Sequence, residues 1–342
     1  ENGYIEKIKT NYKGYGNTLY LRLNDGNSAV YAHLNNFTPE IDDIVRILKK
    51  DYNSQVINHT FSENELMVKK GDIIAYTGDT GTISGPHLHF EIRDKNNLSI
   101  NPLINFYEIE DNIHPIPKKL AFIPKTNNTK IDGYADIMYY DIKKINETQY
   151  EMIDTVSVIG KFGISMNIID KIDKQPFDYG LYKIELYING EMKYKIKYNK
   201  HNFNQGYLVE KERNYHLKKI KKERYYNLYN PHSELSFVDK RSWPYYELEE
   251  GVHNIVIKAS DVNSNDIIIF GTVISEPIKN ISHKITENLN SIDIIVDEQD
   301  ENKEYVINIC NKYNGEKIKT LKQKNKKISI NKSLLVEPFT AI

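Results

Sequence analysis

The run Ser84-Gly85-Pro86-His87-Leu88-His89-Phe90-Glu91-Ile92 sets two histidines two residues apart in a stretch that alternates like a β-strand. Both imidazoles then project from one face. Imidazole is the commonest zinc ligand and the one side chain that titrates near neutrality without help. A same-face pair can therefore hold a metal with one ring and move protons with the other. The other histidines lack such spacing. His59 lies in a long loop, His114 beside a proline-rich linker, and His201, His216, His232, His253 and His283 are scattered, so each reads as a surface or internally satisfied residue. No Gly-x-Ser-x-Gly elbow, phosphate loop, paired-cysteine site or dinucleotide fingerprint competes with the pair.

The elements that must position these rings read as β. Tyr4–Ile8, Thr18–Leu23, Ser28–Leu34, Ile73–Thr77 and His87–Arg93 alternate partly or fully, with glycines punctuating them at Gly14, Gly16, Gly26, Gly71, Gly78, Gly81 and Gly85. Between Pro39 and Lys50, Ile41, Ile44, Val45 and Leu48 fall at helical spacing. That spacing predicts a short helix inside an insertion over about 38–66. Asn101-Pro102-Leu103 and then Pro115, Pro117 and Pro124 mark the exit from a first domain at residues 1–107.

Three pieces of that domain belong together: Tyr31-Ala32-His33-Leu34, the stretch from Val68-Lys69-Lys70-Gly71-Asp72 to Thr77-Gly78-Asp79-Thr80-Gly81, and Gly85-Pro86-His87-Leu88-His89-Phe90. With the Gly14-Tyr15-Gly16-Asn17 turn, the Asp25-Gly26 hairpin and Asn101-Pro102-Leu103, the set resembles the lysostaphin/LytM-type zinc endopeptidases, which cut peptide cross-links in bacterial cell walls. The resemblance covers about residues 1–105. It implies an antiparallel β peptidase domain, Zn2+ as cofactor, peptidoglycan peptides as partners, and a place in the cell envelope, periplasmic or secreted. It also implies His89 as a zinc ligand, with His33 and His87 as the non-ligand pair that orients and deprotonates water or steadies the tetrahedral intermediate.

In that family the other two zinc ligands come from a His-x-x-x-Asp segment ahead of the strand corresponding to Tyr4–Ile8. No His-x-x-x-Asp occurs in this sequence. The chain opens at Glu1, inside an expected strand, and reads as a piece of a longer protein, an enzyme truncated at its N-terminus. As given, it is expected to bind zinc poorly and to show no appreciable peptidase activity. The alternative is a catalytically inactive relative that binds wall peptides or regulates another cell-wall hydrolase.

Residues 108–275 carry short strands separated by turns, including Asn189-Gly190 as a type I′ hairpin, and 276–342 carry a second, incomplete set. The fold class read from the whole is mostly β, an antiparallel peptidase domain followed by one or two β-sandwich (Ig-like) modules. The basic tract from Lys211 to Arg224 is interrupted by Glu212 and Glu223 and reads as a solvated connecting segment. Asp261-Val262-Asn263-Ser264-Asn265 has the oxygen-rich look of a calcium loop without its full spacing, and reads as a turn between strands. A net charge of −1 gives no broad attraction to nucleic acid or anionic lipid. No apolar run approaches the roughly 20 residues of a membrane helix. Cys310 is the sole cysteine, so no intrachain disulfide forms.

Overall fold

The computed structural model describes residues 2–63, 65–229, 235, 237–239, 242–277, 283–296, 305–311, 317–324, 327–334 and 339–341. His232 lies outside them. The described chain is mostly β, and its contacts divide it into two units, Glu1–Ile109 with Tyr198–Tyr207, and Glu110–Lys197 with Leu208–Ile342.

The first unit is built on β1 (Gly3–Thr10), β2 (Asn17–Leu23) and β3 (Ser28–Phe37), antiparallel neighbours in one sheet. Their inward positions, among them Ile5, Ile8, Leu19, Leu21, Leu23 and Ala29, form the core. Helix α1 (Pro39–Asp51) follows directly. Pro39 opens it, Glu40 and Asp42 occupy its first turn and Lys49 and Lys50 its last, each favourable to the helix dipole. Its apolar stripe buries Ile41 and Val45 on the sheet core, with Ile44 and Leu48 packed beside them, so the residues at helical spacing are the ones that dock. The chain re-enters the sheet as β4 (Ile57–Thr60) and β5 (Met67–Val68), both paired with β1. It then forms β6 (Ala75–Thr77), β7 (His89–Arg93), β8 (Ser99–Ile100) and the short helix α2 (Pro102–Asn105), capped by the Asn101 side chain.

The second unit begins with β9 (Ile116–Pro124), β10 (Lys130–Ile131), β11 (Met138–Lys144), β12 (Gln149–Met152), β13 (Val156–Ile159), β14 (Phe162–Ile169), β15 (Lys183–Ile188) and β16 (Glu191–Lys197). Asn189 and Gly190 join the last two with φ of 52° and 80°, the pair of positive angles a type I′ turn requires. β17 (Lys200–His201) returns to the first unit and pairs with β8. The basic tract then differs from expectation: part of it folds as helix α3 (Val209–Glu212) and helix α4 (Tyr215–Lys221). The reason is local, because the Asn214 side chain accepts from Leu217 N at 3.0 Å as an N-cap while Leu217 is fully buried. β18 (Tyr225–Asn227), β19 (Gly251–Ser260) and β20 (Asp266–Ser275) complete this sheet, in which β20 pairs parallel with β12 and β13. Further strands follow at Ser291–Val296, Tyr305–Asn311 and Lys327–Asn331. No described helix is long and apolar enough to cross a membrane.

Two loops of the first unit lock together. Gly14 N donates to Thr82 Oγ1 (3.1 Å), Thr82 N to Gly14 O (2.9 Å), and Asn17 N to Thr80 Oγ1 (2.9 Å). Gly81 has φ of 89°, and a Cβ there would meet Gly14 O at 2.3 Å. Gly14 has φ of 61° but open space around it. Gly81→Ala should therefore destabilise this unit by more than about 2 kcal/mol and Gly14→Ala by about 1 kcal/mol in chemical denaturation. Equal losses would contradict the interlock.

Candidate active site

The three histidines come from two adjacent strands and the loop before one of them. β3 pairs antiparallel with β7, Ala32 facing His89. One residue later the backbone turns left-handed, His33 having φ of 58°, and from Leu34 the strand pairs with β6 instead. Histidine tolerates this conformation better than most residues. A kink at the change of partner re-aims the side chain, as bulges do. His33 N donates to Tyr15 O at 2.9 Å, which anchors the kink to the Gly14–Gly16 turn. His87 lies just before β7 in an isolated bridge to Gly78, its backbone N donating to Gly78 O at 3.1 Å.

The rings gather closely. Their centroids are 5.0 Å apart for His33 and His87 and 5.7 Å for His33 and His89. The Tyr15 ring stands 4.8 Å from His89. His33 is buried, His87 exposed and His89 between the two. Each ring has one nitrogen committed. His33 Nδ1 donates to Thr80 O (2.9 Å) and His87 Nδ1 donates to Gly85 O (2.9 Å), because a carbonyl can only accept. Both rings thereby keep the Nε2 lone pair when neutral. In His89 the order is reversed, with Nε2 facing Glu91 Oε1 at 2.5 Å and Nδ1 left with the lone pair.

Glu91 organises this side of the site, and the sequence reading gives it no role. The alternation that puts His87 and His89 on one face carries on to Glu91 and Arg93, so the signal was a period of two extended by one more turn of the pleat. The Glu91 carboxylate is only 7% exposed. It accepts from Tyr15 Oη (2.5 Å), His89 Nε2 (2.5 Å) and Arg93 Nε (2.7 Å). Burial would raise its pKa, but hydrogen bonds from His89, Arg93 and Tyr15, with the Arg93 charge, outweigh that and bring it down to about 2. Burial and then the Glu91 hydrogen bond push the Tyr15 phenol well above its usual range, so it stays a donor. Arg93 is itself buried, with its guanidinium 4.1 Å from the Phe203 ring centre and Nη1 donating to Asn97 Oδ1 at 3.2 Å.

His89 Nδ1 has the properties of a metal-ligand nitrogen, the other ring N–H being held by the Glu91 carboxylate. His33 and His87 do not complete a shell with it. Among the described residues, the one group of three ligand atoms lying within 4.8 Å of one another is elsewhere, in the second unit. Zinc sites use three or four protein ligands, and the described residues gathered here do not supply such a set.

The Glu91 shift has a direction in pH. Its folded pKa of about 2 lies below the ordinary 4.5, so the unfolded chain takes up the proton first. The stabilisation is complete above about 4.5 and is lost as pH falls through the interval toward 2. Glu91→Gln should cost on the order of 3 kcal/mol at neutral pH. Its stability should also fall less steeply than wild type between about pH 5 and about pH 3 in urea titrations. Parallel profiles would contradict the assignment.

Comparison with known proteins gives a partial match. The pattern of Peptidase family M23 fits residues 40–102. A protein of Neisseria meningitidis serogroup B named DD-carboxypeptidase/endopeptidase Mpg is 32% identical over 90 residues, covering 26% of this chain and 15% of that protein. The protein of the same name from Neisseria gonorrhoeae is 31% identical over 90 residues, with the same coverage. The chain thus spans about 15% of the length of these relatives. A solved structure titled as a Ca2+-stabilized adhesin that helps an Antarctic bacterium bind ice aligns over 96% of this chain and 82% of its own, at 9% identity. The TM-score is 0.17. The first unit carries a Peptidase family M23 domain, whose match over residues 40–102 includes His87 and His89 and begins just after His33.

Proposed function

We propose that the first unit is a zinc-dependent peptidase module acting on peptide bonds of bacterial cell-wall peptidoglycan, within a protein of the cell envelope. The observation that carries this reading is the gathering of His33, His87 and His89, each with one nitrogen tied by a hydrogen bond and the other left as a lone pair. The match to Peptidase family M23 and to relatives named as carboxypeptidase/endopeptidase supports it.

In this reading His89 is a metal ligand through Nδ1, oriented by Glu91. Zinc, when bound at such a site, supplies a Lewis acid that makes water nucleophilic near neutral pH and polarises the scissile carbonyl. The described residues around His89 do not complete its coordination. His33 and His87 handle protons. Their Nε2 atoms accept the proton of an attacking water and return one to the leaving amine, while Thr80 O and Gly85 O fix the rings. The buried His33 is held rigidly and the exposed His87 stands nearer to solvent. A second reading, a module that binds wall peptides without cutting them, is favoured by one observation, the incomplete ligand set among the described residues.

Peptide release from purified peptidoglycan, with and without zinc, separates these. Residues 1–342 alone should release nothing, and zinc-dependent release by them would contradict the ligand shortfall. In a polypeptide that supplies two more ligands, release should fall by roughly 10²–10⁴-fold in His33→Ala or His87→Ala, and at least as far in His89→Ala. Unchanged release in the His33 and His87 variants would remove their proton-handling roles. No release from that completed polypeptide would favour the binding reading.

A further inference from the structure

The second unit brings together three carboxylates far apart in sequence. Asp111 precedes β9, Asp170 follows β14 and Asp261 follows β19, yet one oxygen of each lies within 4.8 Å of the others. Asp170 and Asp261 are buried, 3% and 4% exposed, and Asp111 is half-buried. All three have partial hydrogen-bond support. Asp261 Oδ1 accepts from Asn265 N (2.8 Å), its Oδ2 from Asn265 Nδ2 (2.6 Å), and Asp111 Oδ1 from Ile113 N (3.0 Å). Asp170 takes a backbone hydrogen bond from Lys171, yet its buried Oδ1 has no hydrogen-bond partner among the described residues.

Among the described residues, no ion pair to these three carboxylates is seen. The lysines that follow Asp170 are engaged elsewhere, Lys171 with Asp178 and Lys174 with Glu110. Asp173 adds a fourth negative charge beside Asp111, its own Oδ2 accepting from Asn112 N and Nδ2. Burial first, and then the Asp261 and Asp111 charges, push the Asp170 carboxyl up to about 7. A buried carboxylate oxygen without a donor, facing two others, is a costly arrangement in a folded protein unless something positive completes it.

We propose that Asp111, Asp170 and Asp261 form a calcium-binding site that ties the start of β9 to the ends of β14 and β19. The donors are all oxygen, which selects a hard cation over zinc or copper. They come from irregular segments at three separate points of the chain, which suits the flexible six- to eight-fold shell of Ca2+ better than the strict octahedron of Mg2+. The orphaned Asp170 Oδ1 gains a partner, and the unbalanced negative charge is reduced. Asn265 prepares the site, its side-chain amide bridging Asp261 Oδ2 and, at 3.0 Å, the carbonyl of Asp111. The Asp261-to-Asn265 segment is a turn, as its sequence suggests, but one whose aspartate finds its companions from other strands rather than from the loop itself.

The full chain, stripped with EGTA, tests this by calorimetric titration and thermal melting with CaCl2 or MgCl2. One Ca2+ per chain should bind with a dissociation constant in the micromolar to millimolar range, and saturating Ca2+ should raise the melting temperature by roughly 5 °C or more. Mg2+ should do far less. Asp170→Asn should bind Ca2+ at least about 100-fold more weakly. Without metal, that variant should melt no lower than wild type, because one of three facing charges is gone. Asp261→Asn should lose the Ca2+ response as well. Absence of Ca2+ binding by the wild-type chain at about 5 mM, above the extracellular-module range, would overturn the site and leave shared protons as the answer to the repulsion. Equal stabilisation by Mg2+, or wild-type Ca2+ affinity in Asp170→Asn, would also overturn it.

Discussion

A carboxylate taken out of water is tolerated only where donors replace its hydration, and Glu91 obtains three of them from three different side chains. Tyr15 arrives from the turn between β1 and β2, His89 and Arg93 from the same face of β7. Each bond fixes a part of the first unit. The Arg93 bond holds a buried guanidinium, the Tyr15 bond holds the turn that anchors His33 through its backbone, and the His89 bond sets which imidazole nitrogen is left free. Because the carboxyl stays ionised down to about pH 2, this arrangement persists throughout the neutral range. Loss of the charge would leave Arg93 buried without its partner, which is why it constrains more than its own neighbours.

The other two rings depend on backbone rather than on charge. His33 reaches the cluster through a left-handed residue placed where β3 changes partner from β7 to β6, and Thr80 then does two jobs. Its carbonyl accepts from the imidazole, and its hydroxyl donates to Leu34 O at 2.8 Å across the same kink. Gly81 allows the loop carrying Thr80 to lie against the Gly14–Gly16 turn at a distance no side chain would permit. Rigid strands, one kink and two interlocked loops thus give three imidazoles with defined free nitrogens. Such fixed rings with defined lone pairs are what the proposed proton-handling roles would need.

Much of this was legible in the sequence. The alternation of Thr18–Leu23 and Ser28–Leu34, the helical spacing of Ile41, Ile44, Val45 and Leu48, and the Asn189-Gly190 hairpin report local preferences that tertiary packing reinforces. The mostly β class follows from the same signals. The helix at Tyr215–Lys221 is hidden in the sequence, because its lysines mask one buried leucine and an asparagine cap. The role of Glu91 is hidden for a different reason. A glutamate in an alternating strand looks like a solvated residue until the tyrosine and arginine that desolvate it are placed around it. The Asp111, Asp170 and Asp261 cluster was beyond sequence altogether, since only the pairing of distant strands brings its members together.

The claim at the centre of the first unit is that hydrogen bonds from the protein set the tautomer of each histidine in advance. Long-range proton–nitrogen NMR of the imidazoles in the full chain, at a pH where the rings are neutral, reads this directly. His33 and His87 should carry their proton on Nδ1, held by Thr80 O and Gly85 O, and His89 should carry its proton on Nε2, held by Glu91. A His89 ring protonated on Nδ1, or rings of His33 and His87 averaging between both forms, would contradict the preorganised site.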